Sequence, residues 1–261
     1  MRYVRLAWSF FRISSLREIQ YRANFFLQAL QSLIGLGTGL AGLGVVFAHT
    51  SNLGGWKPPQ LLAVLGVYFL VGGLMNLMIR PSMQRFMEDV RLGTLDFVLT
   101  RPADSQFLIS VREVQFWKMI DVGMGITVLV IAAILLAGTV GVLQALEFAV
   151  AFLAGGLIVY GFFTILATIT FWIVRADNIL VIFLAVYDAG RWPVTIYPGA
   201  LRYALTFLVP IAFAVTVPAQ SLTGRLTGGT LLETLALAAA ILAISRWFWG
   251  FGLSRYTGAS A

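Results

Sequence analysis

The chain has no cysteine, one histidine and two lysines in 261 residues. Without cysteine there is no disulfide, no thiolate nucleophile and no Cys-ligated metal. His49 closes an apolar run and reads as an interfacial side chain, not a ligand. Lys57 and Lys118 both follow tryptophan, so neither completes the Gly-Lys-Ser/Thr end of a phosphate loop. ATP cannot be bound in that way, and no metal or other cofactor is expected. Charged residues are 11% of the chain, against about 25% in soluble domains. No nucleophile, base and acid fall together, so a non-catalytic protein is expected. Ion-driven carriers bury ionisable groups in mid-span. Here Asp121, Glu147 and Glu233 fall near span ends, and Asp188 is the only acid that could sit deep.

What is present is apolar. Hydrophobic residues make up 59% and mean hydropathy is +0.89. The expectation is an all-α, polytopic membrane protein with six transmembrane helices in a single domain, residues 1–261. A helix crossing the bilayer needs about 20 apolar residues. Candidate spans are 23–48, 60–79 (ended by Arg80-Pro81), 119–140, 146–174 and 231–251. The net charge of +7 does not point to nucleic acid, because the basic residues follow the positive-inside bias. With the N-terminus inside, fourteen Lys and Arg fall on the cytoplasmic side and only Lys57 and Arg225 outside. Arg191 and Arg202 are undecided. Both termini are therefore expected in the cytoplasm of a bacterial cell, with the chain in the inner membrane. Residues 1–22 carry five arginines ahead of a run too long for a signal peptide core. Val4, Trp8, Phe11 and Ser15 at helical spacing suggest a basic helix lying on the lipid surface.

The stretch 177–222 admits two readings. In one, 178–192 is a short fifth span, and 199–222, interrupted by Pro210 and Pro218, dips in as a re-entrant outer hairpin. In the other, 178–192 lies flat inside and 199–222 spans. Broken backbone at membrane depth is tolerated only under protein cover or along a cavity.

Residues 80–118 hold eleven of the charged residues. Met83, Phe86, Met87 and Val90 follow helical spacing, and Gly93 is a natural helix stop. Asp104 or Ser105 can cap the helix that follows. This pattern suggests a docking helix presented to a soluble partner. Phe86, Met87 and Leu95 would dock by apolar contact, and Glu88, Asp89, Arg91 and Asp96 by charge. The first span carries Gly35, Gly39 and Gly42, a small-residue face for close helix packing. That face could serve the chain's own fold, a subunit interface or a pathway. A membrane scaffold or sensor whose loop binds a soluble partner fits the same pattern.

The run Leu92-Gly93-Thr94-Leu95-Asp96-Phe97-Val98-Leu99-Thr100-Arg101-Pro102, followed by Asp104-Ser105-Gln106-Phe107, resembles the permease subunits of type-2 ABC exporters. So do Arg191-Trp192-Pro193, Ile196-Tyr197-Pro198, Pro210-Ile211-Ala212-Phe213 and the tail from Phe251 to Ala259. The likeness is to the viologen-exporter-like branch, related to daunorubicin-type exporters, and spans nearly the whole chain. It implies six spans, an N-terminal interfacial helix, a cytoplasmic coupling helix within 80–118 and the re-entrant hairpin at 199–222. It also implies a cytosolic ATPase dimer that binds ATP and magnesium, and a second permease subunit, identical or paralogous. The apolar spans fit export of a hydrophobic or amphipathic substrate.

Overall fold

The computed structural model describes residues 22–173 and 177–256. The surface helix expected over 3–16 and the last residues of the tail fall outside them. The described residues form helices and turns, with one isolated backbone bridge, Leu53–Trp56, closing a tight turn at one end of the bundle. Five helical stretches are long and apolar enough to cross a membrane: Phe25–His49, Pro58–Leu92, Phe116–Leu135, Val142–Phe171 and Gly228–Leu253. The chain is thus an all-α, multi-pass membrane protein.

The first stretch is α1 (Arg22–His49). The second differs from the sequence expectation, because it does not end at Arg80-Pro81. Helix α2 (Pro58–Leu74) passes through a π turn (Met75–Ile79) into α3 (Arg80–Leu92) without a break. Pro81 has no N–H to offer the carbonyl one turn back, at Leu77. The Leu77 carbonyl instead accepts the backbone N–H of Gln115, at 2.8 Å. An outside donor therefore lets the helix run on. At 1.5 Å per residue the rod is about 52 Å long, well beyond the ~30 Å hydrocarbon layer. Gly93 stops it in the left-handed region (φ 70°), as its type suggests.

Two short helices follow, α4 (Asp96–Leu99) and α5 (Ser105–Ser110). Asp104 caps α5 by accepting the Phe107 N–H at 2.9 Å. Helix α6 (Met119–Leu135) then returns along α2 at close range. A Cβ on Gly125 would lie 2.5 Å from the Leu70 backbone nitrogen, and one on Gly66 would lie 2.8 Å from the Leu129 side chain. These glycines let the two backbones touch. Helices α7 (Val142–Thr168) and α11 (Gly228–Leu253) form the other packed pair, with Gly161 against Ile241.

Between them lies the stretch with two readings. Residues up to 173 sit at the bundle end where Phe171 meets Phe86, Trp249 and Tyr256. Helix α8 (Asp177–Tyr187) and a 3-10 turn to Arg191 lead away from it. Thr195 then accepts the Trp56 indole N–H at 2.9 Å, at the opposite end. Next come α9 (Gly199–Tyr203) with a π turn, a break at Val209-Pro210, and a second run from Ala212 into α10 (Val217–Leu222). The two arms are bent by 81°. The second arm is buried against the middle of α7, with Ala214 closing on Gly155. Arg225 then reaches the Gly55 carbonyl and stacks over the Trp56 ring, 4.7 Å from its centre. Both ends of 195–225 are thus held by one loop at one end of the bundle. Pro218 does not repeat the break: the helical run from Ala212 continues through it to Leu222.

Candidate functional site

Two places concentrate polar chemistry. The first is the bundle end at Trp249. The sequence marks one face of α3 as apolar, and that face turns inward. Met83, Phe86 and Met87 are all within 2% of full burial, and Leu95 is fully buried. The Phe86 ring lies 4.8 Å from Trp249 and 5.5 Å from Phe171. Phe86, Met87 and Leu95 are therefore not a free docking surface. Helical spacing identifies an apolar face but not what covers it. Here α7, α11 and the turn ending at Phe171 cover it.

Asp89 is also internal, with 0% exposure. Its carboxylate accepts from Arg112, from the Thr94 hydroxyl at 2.9 Å and, at 3.4 Å, pairs with Arg85 Nε. A buried charge so surrounded is compensated, and it clamps α3 to the turn at Gly93 and to the segment after α5. Glu88 and Arg85 pair at 3.2 Å on the half-exposed flank, and Arg91 is exposed. Asp96 is half-buried. Phe97 and Leu92 are exposed apolar side chains beside them, at 75% and 57%. The sequence reading missed both, since neither lies on the apolar stripe. What this end offers a partner is therefore Glu88, Arg91, Leu92, Asp96 and Phe97.

The same end is tied to α11. Arg246 pairs with Asp104 at 2.5 Å and with the Gln106 amide oxygen at 3.1 Å. Trp249 donates to Ser105 at 3.2 Å. Burial pushes the Asp104 carboxyl up, but its bonds to Arg246 and to the Phe107 N–H outweigh this and hold it below the usual range. Burial, with the nearby Asp96 charge, raises the Tyr256 hydroxyl above its ordinary value.

The second place is a cavity of about 480 Å³ between α1, α2 and α8. It runs along the rod Pro58–Leu92 from Tyr68 down to Arg80, twelve residues or about 18 Å. At its upper end the Tyr68 hydroxyl donates to Asp188 at 2.6 Å and accepts from Arg191 Nε at 3.3 Å. Tyr187 stacks on Tyr68 at 5.0 Å and donates to the Tyr68 carbonyl. Arg191, undecided on charge bias alone, is thus satisfied by Tyr68 and Asp188. At the lower end Ser32 donates to Asp121, which also pairs with Lys118 at 3.6 Å. The π turn of the long rod forms the wall between, with Met75 and Asn76. Such turns recur at functional sites.

The three glycines of α1 have separate fates. Gly35 lines the cavity, Gly39 packs on Leu65, and Gly42 faces Trp192. Gly37 and Gly44 meet nothing within 4 Å. Closer helix contacts are made at glycines elsewhere, among them Gly66, Gly73, Gly125, Gly155 and Gly161. The seven-residue spacing of Gly66 and Gly73 on one helix face was the available signal.

A family model described as ABC-2 family transporter protein matches residues 33–260, most of the chain. Among curated proteins and among solved structures nothing matches.

Proposed function

The chain belongs to the ABC-2 family of transporter proteins and so is the permease component of an ABC transporter, and we propose that it is an exporter subunit of the viologen-exporter-like branch. It moves a hydrophobic or amphipathic substrate out of the cytoplasm. A cytosolic dimer of ATP-binding subunits supplies the energy, and a second permease, identical or paralogous, completes the pathway. Subunits of this family are in general non-catalytic, and ATP and magnesium belong to the partner. The membrane is the bacterial inner membrane, with both termini cytoplasmic.

One observation carries the mechanism: the rod Pro58–Leu92 is a single helix joining the cavity wall to the exposed charged end. Force applied at Glu88 and Arg91 by a closing ATPase pair reaches Asn76 and Tyr68 without crossing a loop. The buried partners Phe86, Met87, Leu95 and Asp89 hold the rod's end against α7 and α11, so the push moves a packed unit. The ATPase dimer favours whichever state it binds better, since a partner shifts an equilibrium only through differential affinity. Residues 199–222 form a re-entrant hairpin from the outer side, supported by the shared hold of Thr195 and Arg225 on the Trp56 loop. The crossing between Phe171 and Thr195 is then the fifth.

The test is co-purification with an ATP-binding subunit, followed by substrate-stimulated ATP hydrolysis in lipid vesicles. Absence of any such subunit from the complex would sink the reading and favour the scaffold. Single cysteines at Tyr197 and Thr227 should both react with an impermeant thiol reagent from outside. Protection at Tyr197 alone would reverse the hairpin assignment.

A further inference from the structure

We propose that the cavity between α1, α2 and α8 binds an amphiphile bearing one anionic headgroup, with the headgroup held at Arg80. The inference rests on the transport reading and deepens it by naming the class of ligand.

The argument begins with charge. The cavity is lined by four charged side chains, Arg80, Lys118, Asp121 and Asp188. Lys118 and Asp121 neutralise each other, and Asp188 is balanced by Arg191 just outside the lining. Arg80 is the remaining charge. Among the described residues no carboxylate lies within ion-pair distance of it. Its Nη1 donates to the Asn76 amide oxygen at 3.2 Å, but its Nε is buried and makes no hydrogen bond. Guanidinium groups present several donors in a planar fork that fits carboxylate or phosphate oxygens. A buried donor left unmade is destabilising, and a ligand oxygen would satisfy it.

Shape supplies the second half. Arg80 lies 22 residues down the rod from Pro58, about 33 Å. That is the depth of one face of the ~30 Å hydrocarbon layer, the inner face in the proposed orientation. From there the cavity climbs about 18 Å to Tyr68, past Met75, Phe69, Leu184 and the open backbone of Gly35 and Gly72. A cation at headgroup depth, below a wall where Phe69, Met75 and Leu184 sit among the polar Gln28, Gln31 and Asn76, matches an anionic amphiphile entering from the inner leaflet. A cationic cargo would meet the unpaired Arg80 first, and repulsion opposes it. The cavity's volume lies within the range of small-ligand sites, about 300–1,000 Å³.

Equilibrium binding to the purified full chain in non-ionic detergent tests this, with labelled dodecyl phosphate as probe. We expect saturable binding, tighter than that of inorganic phosphate or of dodecyltrimethylammonium. Arg80→Gln should weaken it about tenfold or more, the scale of a hydrogen bond to a charged group, and Arg80→Lys should recover most of it. Competition by phosphatidic acid would assign the site to a lipid, and its failure to compete would assign it to a smaller amphiphile; either keeps the anionic headgroup at Arg80. Equal affinity in Arg80→Gln, tighter binding of the cationic probe, or inorganic phosphate binding as well as dodecyl phosphate would overturn the proposal. Should Arg80→Gln not fold, a photoreactive dodecyl phosphate on the unaltered chain decides: cross-links in residues 28–35 and 181–188 support the site, and cross-links confined elsewhere overturn it. These readouts need no ATPase, so they stand or fall apart from the co-purification test.

Discussion

Helices α1 and the rod Pro58–Leu92 are both apolar and long enough to span, yet 6% of the core window of one is buried and 61% of the other. Helix α1 has five glycines and touches its own chain lightly. The rod spends Gly66 and Gly73 on backbone contact with α6. Apolar composition thus selects a span but not its neighbour. Whether small residues fall opposite a backbone decides which helices lock and which remain open along a face. The open helix borders the cavity, and the locked one runs from the cavity wall to the exposed charged end.

This contrast breaks most severely at Gly125. Gly125→Leu drives a side chain into the Leu70 backbone, where neither helix can give. The loss should reach or exceed the ~1–3 kcal/mol usual for overpacking, seen as loss of monodisperse protein on size exclusion. Gly37→Leu meets open space and should fold normally, yet lose pairing with the second permease by cross-linking if the open face of α1 is that interface. Preserved pairing would place the interface elsewhere.

Next comes Asp89. Asp89→Leu takes the acceptor from Thr94 and Arg112; Arg112 is 27% exposed and can turn to water, so the cost should fall below the about 3–5 kcal/mol of a fully buried pair. Thermal unfolding in detergent should show it. Glu88→Lys with Arg91→Glu lies on the exposed side of the same helix and should leave unfolding unchanged. It should weaken ATPase co-purification, because like charges across an interface repel. Unchanged co-purification would remove this end from the docking role.

The smallest effect is at Asp104. Its carboxyl is depressed by Arg246 and the Phe107 N–H, so its stabilising contribution is complete above the ordinary carboxylate range near 3.9. It fades as pH falls below that value towards the lower folded-state one. Asp104→Asn should therefore be less stable than the parent at neutral pH, and the difference should close as pH falls below about 4; equal stability at neutral pH would show that the pair contributes nothing.

Spans, caps and the stop at Gly93 were legible because each depends on local residues. The fate of Phe86 was not, since its spacing is the same whether a partner or Trp249 covers it. The passage through Pro81 was hidden for a related reason: the rescuing N–H belongs to Gln115, far along the chain. Arg80 looked like a span terminus, and only three-dimensional neighbours reveal which of its donors lack acceptors. The bend within 199–222 could be read from Pro210, whereas the grips of Thr195 and Arg225 on the Trp56 loop depend on residues far apart in the chain.

The π turn at Met75–Ile79 sets a phase. It holds one residue more than the α-helical turn it replaces, and each residue advances a helix by about 100°. The side chains below it are therefore rotated by that angle relative to those above. Tyr68 can face the cavity while Phe86 faces Trp249 only because of this offset. Deleting one residue from the turn would keep the rod straight and its composition unchanged, yet swing Arg80 and the charged flank of α3 to a new azimuth.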